Sequence, residues 1–286
     1  MLSQDFKTHI EDQISEKIQT IKPVSGGDIS EAYVITTKSQ NYFIKINTSD
    51  KLSMFKEEVN GLKAIANTKT IATPKIYQYG TFNNKSFVLM AWIDTKTPTS
   101  KDLKTLGTQL ANLHKSTATH FGFKNDNFIG SLPQSNKKHQ NWTNFYVEER
   151  LQPQLKLAKS KQLLNPAEIP STNQLKNILK PLFTDVKPSL LHGDLWSGNY
   201  IIASNGTPYL IDPAVYYGHN EVDIAMTKLF GGFSNDFYNA YFKIFPANSN
   251  TNQRIEIYQL YYLLVHLNLF GSSYYGSVKS ILKKHF

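Results

Sequence analysis

An acid and an amide separated by four residues, with a second acid after a short apolar run, form the most informative pattern in this chain. Asp194 and Asn199 lie in Leu-Leu-His-Gly-Asp-Leu-Trp-Ser-Gly-Asn, and Asp212 follows Tyr-Leu-Ile. Phosphoryl transfer needs one carboxylate to orient the acceptor hydroxyl and receive its proton, and a carboxylate and an amide to hold Mg²⁺ against the phosphates. The pattern predicts Asp194 as the catalytic base and Asn199 and Asp212 as metal ligands.

A purely structural explanation competes with this interpretation. Asp, Asn and Gly are common turn formers, so Asp194 and Asn199 could simply shape a loop between two strands. The spacing to Asp212 and the apolar run that precedes it favour the catalytic interpretation. Carboxylate and amide oxygens are also the ligands that Mg²⁺ prefers.

A lysine inside an apolar run is the second candidate. An unpaired ammonium at Lys45 would be costly to desolvate unless it met an anion. In kinases a strand lysine binds the nucleotide phosphates, and a helix glutamate holds that lysine in place. We predict Glu58 for this role, because it lies three residues after Phe55 and four before Leu62 on the apolar helix face. Glu57 is the rival, and a lone strand lysine is more often an edge residue that points to water.

Two further segments are candidates for nucleotide binding. Gly26 and Gly27 lie in a turn where a phosphate-covering loop is expected, although the full G-x-G-x-x-G spacing is missing and paired glycines are common in hairpins. The connector that includes Met90 and Trp92 can offer backbone N–H and C=O groups to adenine. We therefore predict that Gly26, Gly27, Met90 and Trp92 contact the nucleotide.

The elements that must position these residues divide the chain into two parts. Alternating apolar residues predict four antiparallel strands near residues 32–35, 42–46, 76–79 and 87–90. Helical spacing predicts helices from residue 6, over 55–66, up to His114, over 142–157 and over 258–270. These patterns predict an α+β protein with an N-terminal lobe at 1–93 and a mostly helical C-terminal lobe at 94–286.

Composition excludes several classes of protein. The chain has 286 residues, 40% of them hydrophobic, and no run approaches the roughly 18 apolar residues that cross a bilayer. It has no cysteine, so disulfides and thiolate-bound metals are excluded. The net charge of +9 comes from scattered lysines instead of one basic block, so we expect no nucleic-acid partner. The first residues lack the pattern of a signal peptide, and we expect a cytoplasmic protein.

With these features in place, the chain resembles the fructosamine kinase family, relatives of the aminoglycoside and choline kinases with a bilobal protein-kinase-like fold. The Trp-Ser-Gly between Asp194 and Asn199 and the Leu-Phe-Gly-Gly-Phe after Asp212 are more specific than the general kinase residues. The matching segments are 25–29, 43–45, 55–62, 121–123, 129–130, 142–151, 191–199, 216–226, 229–233 and 267–271.

The resemblance implies ATP and Mg²⁺ as cosubstrates and phosphorylation of the 3-hydroxyl of a ketoamine, a fructosamine or ribulosamine adduct that is free or protein-bound. The phosphorylated adduct then decomposes and releases the amine, which makes the enzyme a deglycation kinase. The chain departs from the family pattern at two places. Ala91 stands where the family often has an acidic residue, and His219-Asn220 replace a more charged pair. A kinase for an aminoglycoside or choline and a nucleotide-binding pseudokinase remain the alternatives.

Two residues beside the base lead to further hypotheses. Protein kinases have arginine at the position of Gly193, and that arginine can pair with a phosphorylated loop. We therefore expect a site that assembles without loop phosphorylation. Trp196 could stack on the sugar or meet the ammonium of a ketoamine through its ring face, or it could be a core residue beneath the loop.

Overall fold

The computed structural model describes residues 2–24 and 30–286 of the chain. The predicted nucleotide contacts of Gly26 and Gly27 lie outside these residues and stay predictions. No helix in the described part of the chain is long and apolar enough to cross a membrane.

An antiparallel sheet and two helices form the N-terminal part. Among the described residues the sheet has five strands in the order β1-β2-β3-β5-β4. The elements are α1 (Gln4–Ile14), β1 (Thr20–Pro23), β2 (Glu31–Thr36), β3 (Asn41–Thr48), α2 (Leu52–Asn67), β4 (Ile76–Phe82) and β5 (Lys85–Ala91). The four predicted strands and the helix over 55–66 are therefore present, and β1 is an additional strand.

The alternation of β3 divides its side chains between two helices. Ile44 and Ile46 pack with Phe6 of α1 on one face of the sheet. Lys45 lies on the other face, because successive side chains of a strand point to opposite sides, and it meets α2 there. Strand β3 pairs with both β2 and β5, so Lys45 is not an edge residue.

The remainder of the chain is mostly helical, with short two-stranded ribbons. Within the described residues these ribbons pair β6 with β7, β8 with β11 and β9 with β10. The elements are α3 (Ser100–His114), β6 (Asn127–Ile129), β7 (Leu132–Gln134), α4 (Trp142–Phe145), α5 (Gln152–Ser160), α6 (Thr172–Leu179), β8 (Ser189–Leu191), β9 (Tyr200–Ile202), β10 (Pro208–Leu210), β11 (Tyr216–Gly218), α7 (Glu221–Leu229), α8 (Asn235–Phe242), α9 (Thr251–Phe270) and α10 (Tyr275–His285).

The predicted helix over 142–157 contains a wider turn. A π-helical segment, Tyr146–Leu151, joins α4 to α5. Arg150 in this segment is fully buried, and its guanidinium lies 3.9 Å from the ring centre of Tyr216. Its Nη2 also donates to Oδ1 of Asn136 at 2.6 Å. The ring face and the amide oxygen supply the partners that a buried cation requires.

Helix α9 is the centre of the C-terminal core. Thirteen of its twenty residues are buried, and it contacts α5, α7 and α10. Its apolar part was predicted at 258–270, but it begins at Thr251, because its first two turns are rich in polar residues that obscure the helical period. The α+β fold is confirmed. The boundary between lobes at 93 and 94 stays a prediction.

Candidate active site

The loop between β8 and β9 carries the predicted base and the predicted metal-binding amide. Gly193 has φ +85°, and a Cβ at this position would collide with the backbone carbonyl of Ala214. Only glycine meets both conditions without strain. The Ala214 N–H in turn donates to the carbonyl of His192 at 2.9 Å, so two segments of backbone run in close contact behind the loop.

A buried carboxylate on α7 fixes the backbone of this loop. Asp223 accepts hydrogen bonds from the N–H of His192 at 2.8 Å and of Gly193 at 2.9 Å. It also contacts Nε2 of His114 on α3 at 3.0 Å. Burial raises the pKa of Asp223, but the hydrogen bond and charge of His114, together with His192 and the Gly193 N–H, outweigh burial and hold the pKa below its usual value. The loop is therefore anchored by a side chain of the fold itself. A site that assembles without loop phosphorylation requires an anchor of this kind.

His192 links the predicted base to the strand end that bears the second acid. Its Nε2 lies 2.9 Å from the carbonyl of Ile211, and its Nδ1 lies 3.3 Å from the N–H of Asp194. A carbonyl only accepts, so Nε2 carries the proton and Nδ1 is the acceptor. Burial lowers the pKa of His192, which favours this neutral form.

Asp194 and Asn199 contact each other directly. The Nδ2 of Asn199 donates to the backbone carbonyl of Asp194 at 2.8 Å and to its Oδ2 at 3.2 Å. Because the nitrogen makes both bonds, Oδ1 is the amide atom that can ligate a cation. Burial and the negative charge of Asp212 raise the pKa of Asp194 to about 7. A carboxylate in this range exchanges a proton readily near neutral pH.

Lys45 bridges the two remaining acids. Its Nζ lies 2.7 Å from Oε1 of Glu58 and also contacts Oδ1 of Asp212. Burial lowers the pKa of Lys45, but the charges of Asp212 and Glu58 outweigh burial and keep it an ammonium. Burial also raises the pKa of Asp212, and Lys45 more than reverses that effect. Glu57 instead accepts from Asn60 at 3.1 Å, so the structure brings Lys45 to Glu58.

The donor set fits a hard divalent cation. The predicted metal ligands Asn199 and Asp212 line one cleft together with Asp194. Asp212 reaches it from a left-handed backbone conformation, φ 54°. A carboxylate and an amide oxygen suit Mg²⁺, which is bound through a few protein oxygens together with water and phosphate.

The cleft has a volume of about 560 Å³ and two chemically different groups of lining residues. One group is polar and consists of the five predicted residues Lys45, Glu58, Asp194, Asn199 and Asp212. The other group is aromatic and consists of Trp196, Phe230, His266, Phe270 and Tyr274. Trp196 is 40% exposed, so it is a cleft residue and not a core residue beneath the loop.

The structure does not bring Met90 and Trp92 to this cleft. Met90 is buried and packs with Phe55 and Val59 between the sheet and α2. The indole of Trp92 donates to Oδ1 of Asp94 at 2.9 Å. Neither side chain is among the described residues that line the cleft, and their contact with a nucleotide stays a prediction.

The departures at His219 and Asn220 point into the protein. Nδ1 of His219 lies 2.7 Å from the hydroxyl of Tyr258, and Nδ2 of Asn220 donates to the hydroxyl of Tyr241 at 2.7 Å. Burial lowers the pKa of His219 to about 4. Neither residue is among those that the structure places on the cleft wall.

Sequence reasoning missed the residues that support the loop. Asp223, His114 and Tyr262 are separated widely in sequence and meet only in the folded protein; the hydroxyl of Tyr262 donates to the carbonyl of Gly193 at 2.9 Å. A usable signal was present at Asp223, because a carboxylate in the apolar run Val-Asp-Ile-Ala-Met requires partners if buried.

Comparison with known proteins gives a consistent result. The family model described as fructosamine kinase matches residues 2–286. A protein of Lactiplantibacillus plantarum described as "Probable ketoamine kinase" is 41% identical over 271 residues, covering 94% of this chain and 95% of its own. The chloroplastic protein-ribulosamine 3-kinase of Arabidopsis thaliana is 41% identical over 271 residues, covering 93% of this chain and 82% of its own.

Solved structures share the fold over nearly the whole chain. A crystal structure described as "Putative fructosamine-3-kinase", from Haemophilus somnus, matches with a TM-score of 0.88 and 27% identity, covering 98% of this chain and 96% of that one. An aminoglycoside phosphotransferase in complex with AMP-PNP and hygromycin B matches with a TM-score of 0.64 and 16% identity, over 98% of each chain. The second match shows the protein-kinase-like fold alone.

Proposed function

Because the chain belongs to the fructosamine kinase family, we propose that it transfers the γ-phosphoryl group of ATP to the 3-hydroxyl of a ketoamine. The observation that carries the proposal is the cleft in which Asp194 and Asn199 lie with Asp212 and its Lys45 partner. The relatives supply the acceptor class, since their names specify ketoamine and ribulosamine kinases.

Asp194 is the group that handles the acceptor proton. Its carboxylate orients the hydroxyl and receives the proton as the oxygen attacks phosphorus. A pKa near 7 makes this transfer efficient, because the group is available unprotonated and still basic. Asp223 and Tyr262 keep the loop in position, so Asp194 is oriented before the acceptor arrives.

Lys45 provides the positive charge for the nucleotide. Glu58 holds the ammonium at the cleft wall, and Asp212 is its second partner in the structure. When the phosphates of ATP enter, Lys45 exchanges Asp212 for phosphate oxygens, and Asp212 becomes available as a metal ligand. Glu58 remains the partner that holds Lys45 from α2.

Asn199 and Asp212 would hold Mg²⁺ at the phosphates. A Mg²⁺ ion held by these two residues would supply positive charge to the phosphate oxygens. The pairing of Asn199 with Asp194 through Nδ2 leaves its Oδ1 for this role. The ketoamine product then breaks down and frees the amine, which gives the enzyme a role in deglycation of small molecules or proteins.

A panel of acceptors tests the proposal. The protein is incubated with ATP and Mg²⁺ and, in separate reactions, with ribulose-lysine, fructose-lysine, choline, an aminoglycoside and free ribose, and phosphorus NMR identifies the product. Phosphorylation of a ketoamine at O3, at a kcat/KM well above the other acceptors, is expected. Preference for choline or the aminoglycoside would replace the proposed substrate class. ATP binding without transfer to any acceptor would favour the pseudokinase alternative.

A further inference from the structure

A histidine interrupts the most buried part of α9. Residues 260–268 are otherwise buried, whereas His266 is only half-buried and lines the cleft. It lies one helical turn, about 5.4 Å along the helix axis, after Tyr262, the residue whose hydroxyl binds the carbonyl of Gly193 beside the base. Both residues and Asp194 line the same cleft.

The hydrogen bond of His266 fixes its tautomer. Its Nδ1 lies 2.8 Å from the backbone carbonyl of Tyr262, and a carbonyl only accepts, so Nδ1 carries the proton. In the neutral ring Nε2 is then an acceptor. Nε2 of His266 has no role in the phosphoryl transfer proposed for this site.

Aromatic rings surround the imidazole and hold its orientation. The centroid of the His266 ring is 4.7 Å from that of Phe230, 5.5 Å from Phe270 and 5.1 Å from Tyr274. Phe230 is 40% exposed and Phe270 is 53% exposed, so their faces are open to a ligand. Aromatic faces attract cations electrostatically, and a single fixed acceptor adds direction to that attraction.

We propose that His266 is a specificity-determining residue whose Nε2 accepts a hydrogen bond from the protonated amine of the ketoamine within this aromatic wall. The inference rests on the proposed function and adds to it the group that distinguishes a ketoamine from a neutral sugar. The amine nitrogen of a ketoamine is on C1 and the reacting hydroxyl on C3, so only the C2 carbonyl separates the two recognised ends. A substrate this short requires the two recognising groups to lie in the same cleft, and Asp194 and His266 both line it.

Two variants and two substrates test the proposal. His266→Phe keeps an aromatic ring without the acceptor, and His266→Gln restores an acceptor oxygen at the end of a flexible chain. Each is assayed with ribulose-lysine and with the analogue in which an ether oxygen replaces the amine. The ratio of the two kcat/KM values, measured on one sample, is the readout, because loss of folded protein cancels from it. His120→Phe, on the surface, is the matched control.

The expected result is that His266→Phe lowers the amine-to-ether ratio by about 10-fold or more, the worth of a hydrogen bond to a charged group, mainly through KM for ribulose-lysine. His266→Gln should recover part of the ratio, and His120→Phe and KM for ATP should not change. An unchanged ratio in His266→Phe would overturn the inference while leaving the proposed function in place. Failure of the unmodified enzyme to phosphorylate ribulose-lysine would overturn both.

Discussion

At the scale of single residues, the site depends on two carboxylates in one cleft whose surroundings act on them in opposite directions. Burial and a like charge raise the pKa of Asp194 to about 7, whereas Lys45 lowers that of Asp212. Separation of pKa values between neighbouring acids is how one site obtains a base and a charged ligand from the same residue type. Asp194 therefore suits proton transfer, and Asp212 suits cation binding.

The raised pKa of Asp194 predicts a stability cost in the ligand-free protein. In the folded protein the pKa of this carboxyl lies above its usual value of 3.8. The stability that its protonated form contributes is therefore lost as pH rises from about 4 to 7. We expect Asp194→Asn to be more stable than the unmodified protein at pH 8, by at most about 4 kcal/mol, with a much smaller difference at pH 4. Urea denaturation at the two pH values measures it.

Asp185→Asn is the matched control for this prediction, because Asp185 is exposed and has a backbone conformation, φ 54°, that asparagine tolerates. It should show no such change with pH. Equal stability of Asp194→Asn and the unmodified protein at pH 8 would mean that the Asp194 charge is not desolvated in the fold.

The backbone at Gly193 predicts intolerance to the smallest side chain. A Cβ would collide with the Ala214 carbonyl, and φ +85° is strained for alanine. We expect Gly193→Ala to displace the loop and lower kcat by at least 100-fold. Gly276→Ala is the control, because a Cβ there meets no atom within 4 Å. Activity close to that of the unmodified enzyme in Gly193→Ala would show that the loop geometry is not required.

The residues that sequence reasoning found are those with chemistry of their own. Asp194, Asn199 and Asp212 were identified by spacing, and Glu58 was preferred to Glu57 by helical phase; the structure brings them together. His266 was not found, because its tautomer and its access to the cleft depend on tertiary packing. A local pattern cannot show which nitrogen of a histidine faces a cavity.

At the scale of elements, one loop is held by side chains from three helices. Asp223 of α7 and Tyr262 of α9 bind the backbone beside the base, and His114 of α3 holds the carboxylate of Asp223. These contacts hold the loop in one conformation. A change in the position of α7 should therefore displace the catalytic loop.

Asp223→Asn tests this arrangement. The amide keeps the shape of the side chain but offers one acceptor oxygen to the two backbone N–H groups and to His114, so at least one buried group loses its partner. We expect a destabilisation of about 3 kcal/mol and a fall in kcat with little change in KM for ATP. Urea denaturation and steady-state kinetics measure the two effects. Stability and kcat equal to those of the unmodified enzyme would contradict the role of Asp223 as an anchor.

Element length decided which strands could be predicted. The strands β2, β3 and β5 have six to eight residues, which is long enough for their apolar runs to be recognised, and β3 shows clear alternation. The strands β6 to β11 have three residues each, too few for a period to appear, although two of them border the catalytic loop. Of these six, the one before Asp212, β10, was recognised from its apolar run. The π-helical segment was also not predictable, because the apolar spacing of 142–157 matches an ordinary helix.

At the scale of the whole molecule, the cleft combines residues from the sheet, from α2 and from the helical part of the chain. Lys45 and Asp212 are 167 residues apart in sequence and form one ion pair. Long-range pairing of this kind cannot be derived from local patterns, and the sequence analysis did not predict it. A ligand that binds both parts of the cleft should therefore stabilise the molecule as a unit.

A thermal-shift experiment tests the nucleotide side of the cleft. We expect Mg²⁺ with AMP-PNP, at about 100 times Kd, to stabilise the unmodified protein by about 2.7 kcal/mol and raise Tm by several degrees. The shift should be largely lost in Lys45→Ala, each variant being compared with its own ligand-free Tm because the substitution leaves two acids without their counter-ion. Lys38→Ala, exposed between β2 and β3, is the control. An equal shift in Lys45→Ala would contradict a phosphate contact by Lys45.

The most direct measurement of the central claim is transfer of the γ-phosphoryl group from radiolabelled ATP to ribulose-lysine by the unmodified protein and by Asp194→Asn, with and without Mg²⁺. The account predicts transfer that requires Mg²⁺ and falls by 100-fold or more in Asp194→Asn, as expected for loss of a general base that still leaves the nucleotide bound. Transfer at an equal rate in Asp194→Asn, or no transfer to ribulose-lysine or fructose-lysine by a protein that binds ATP, would contradict it.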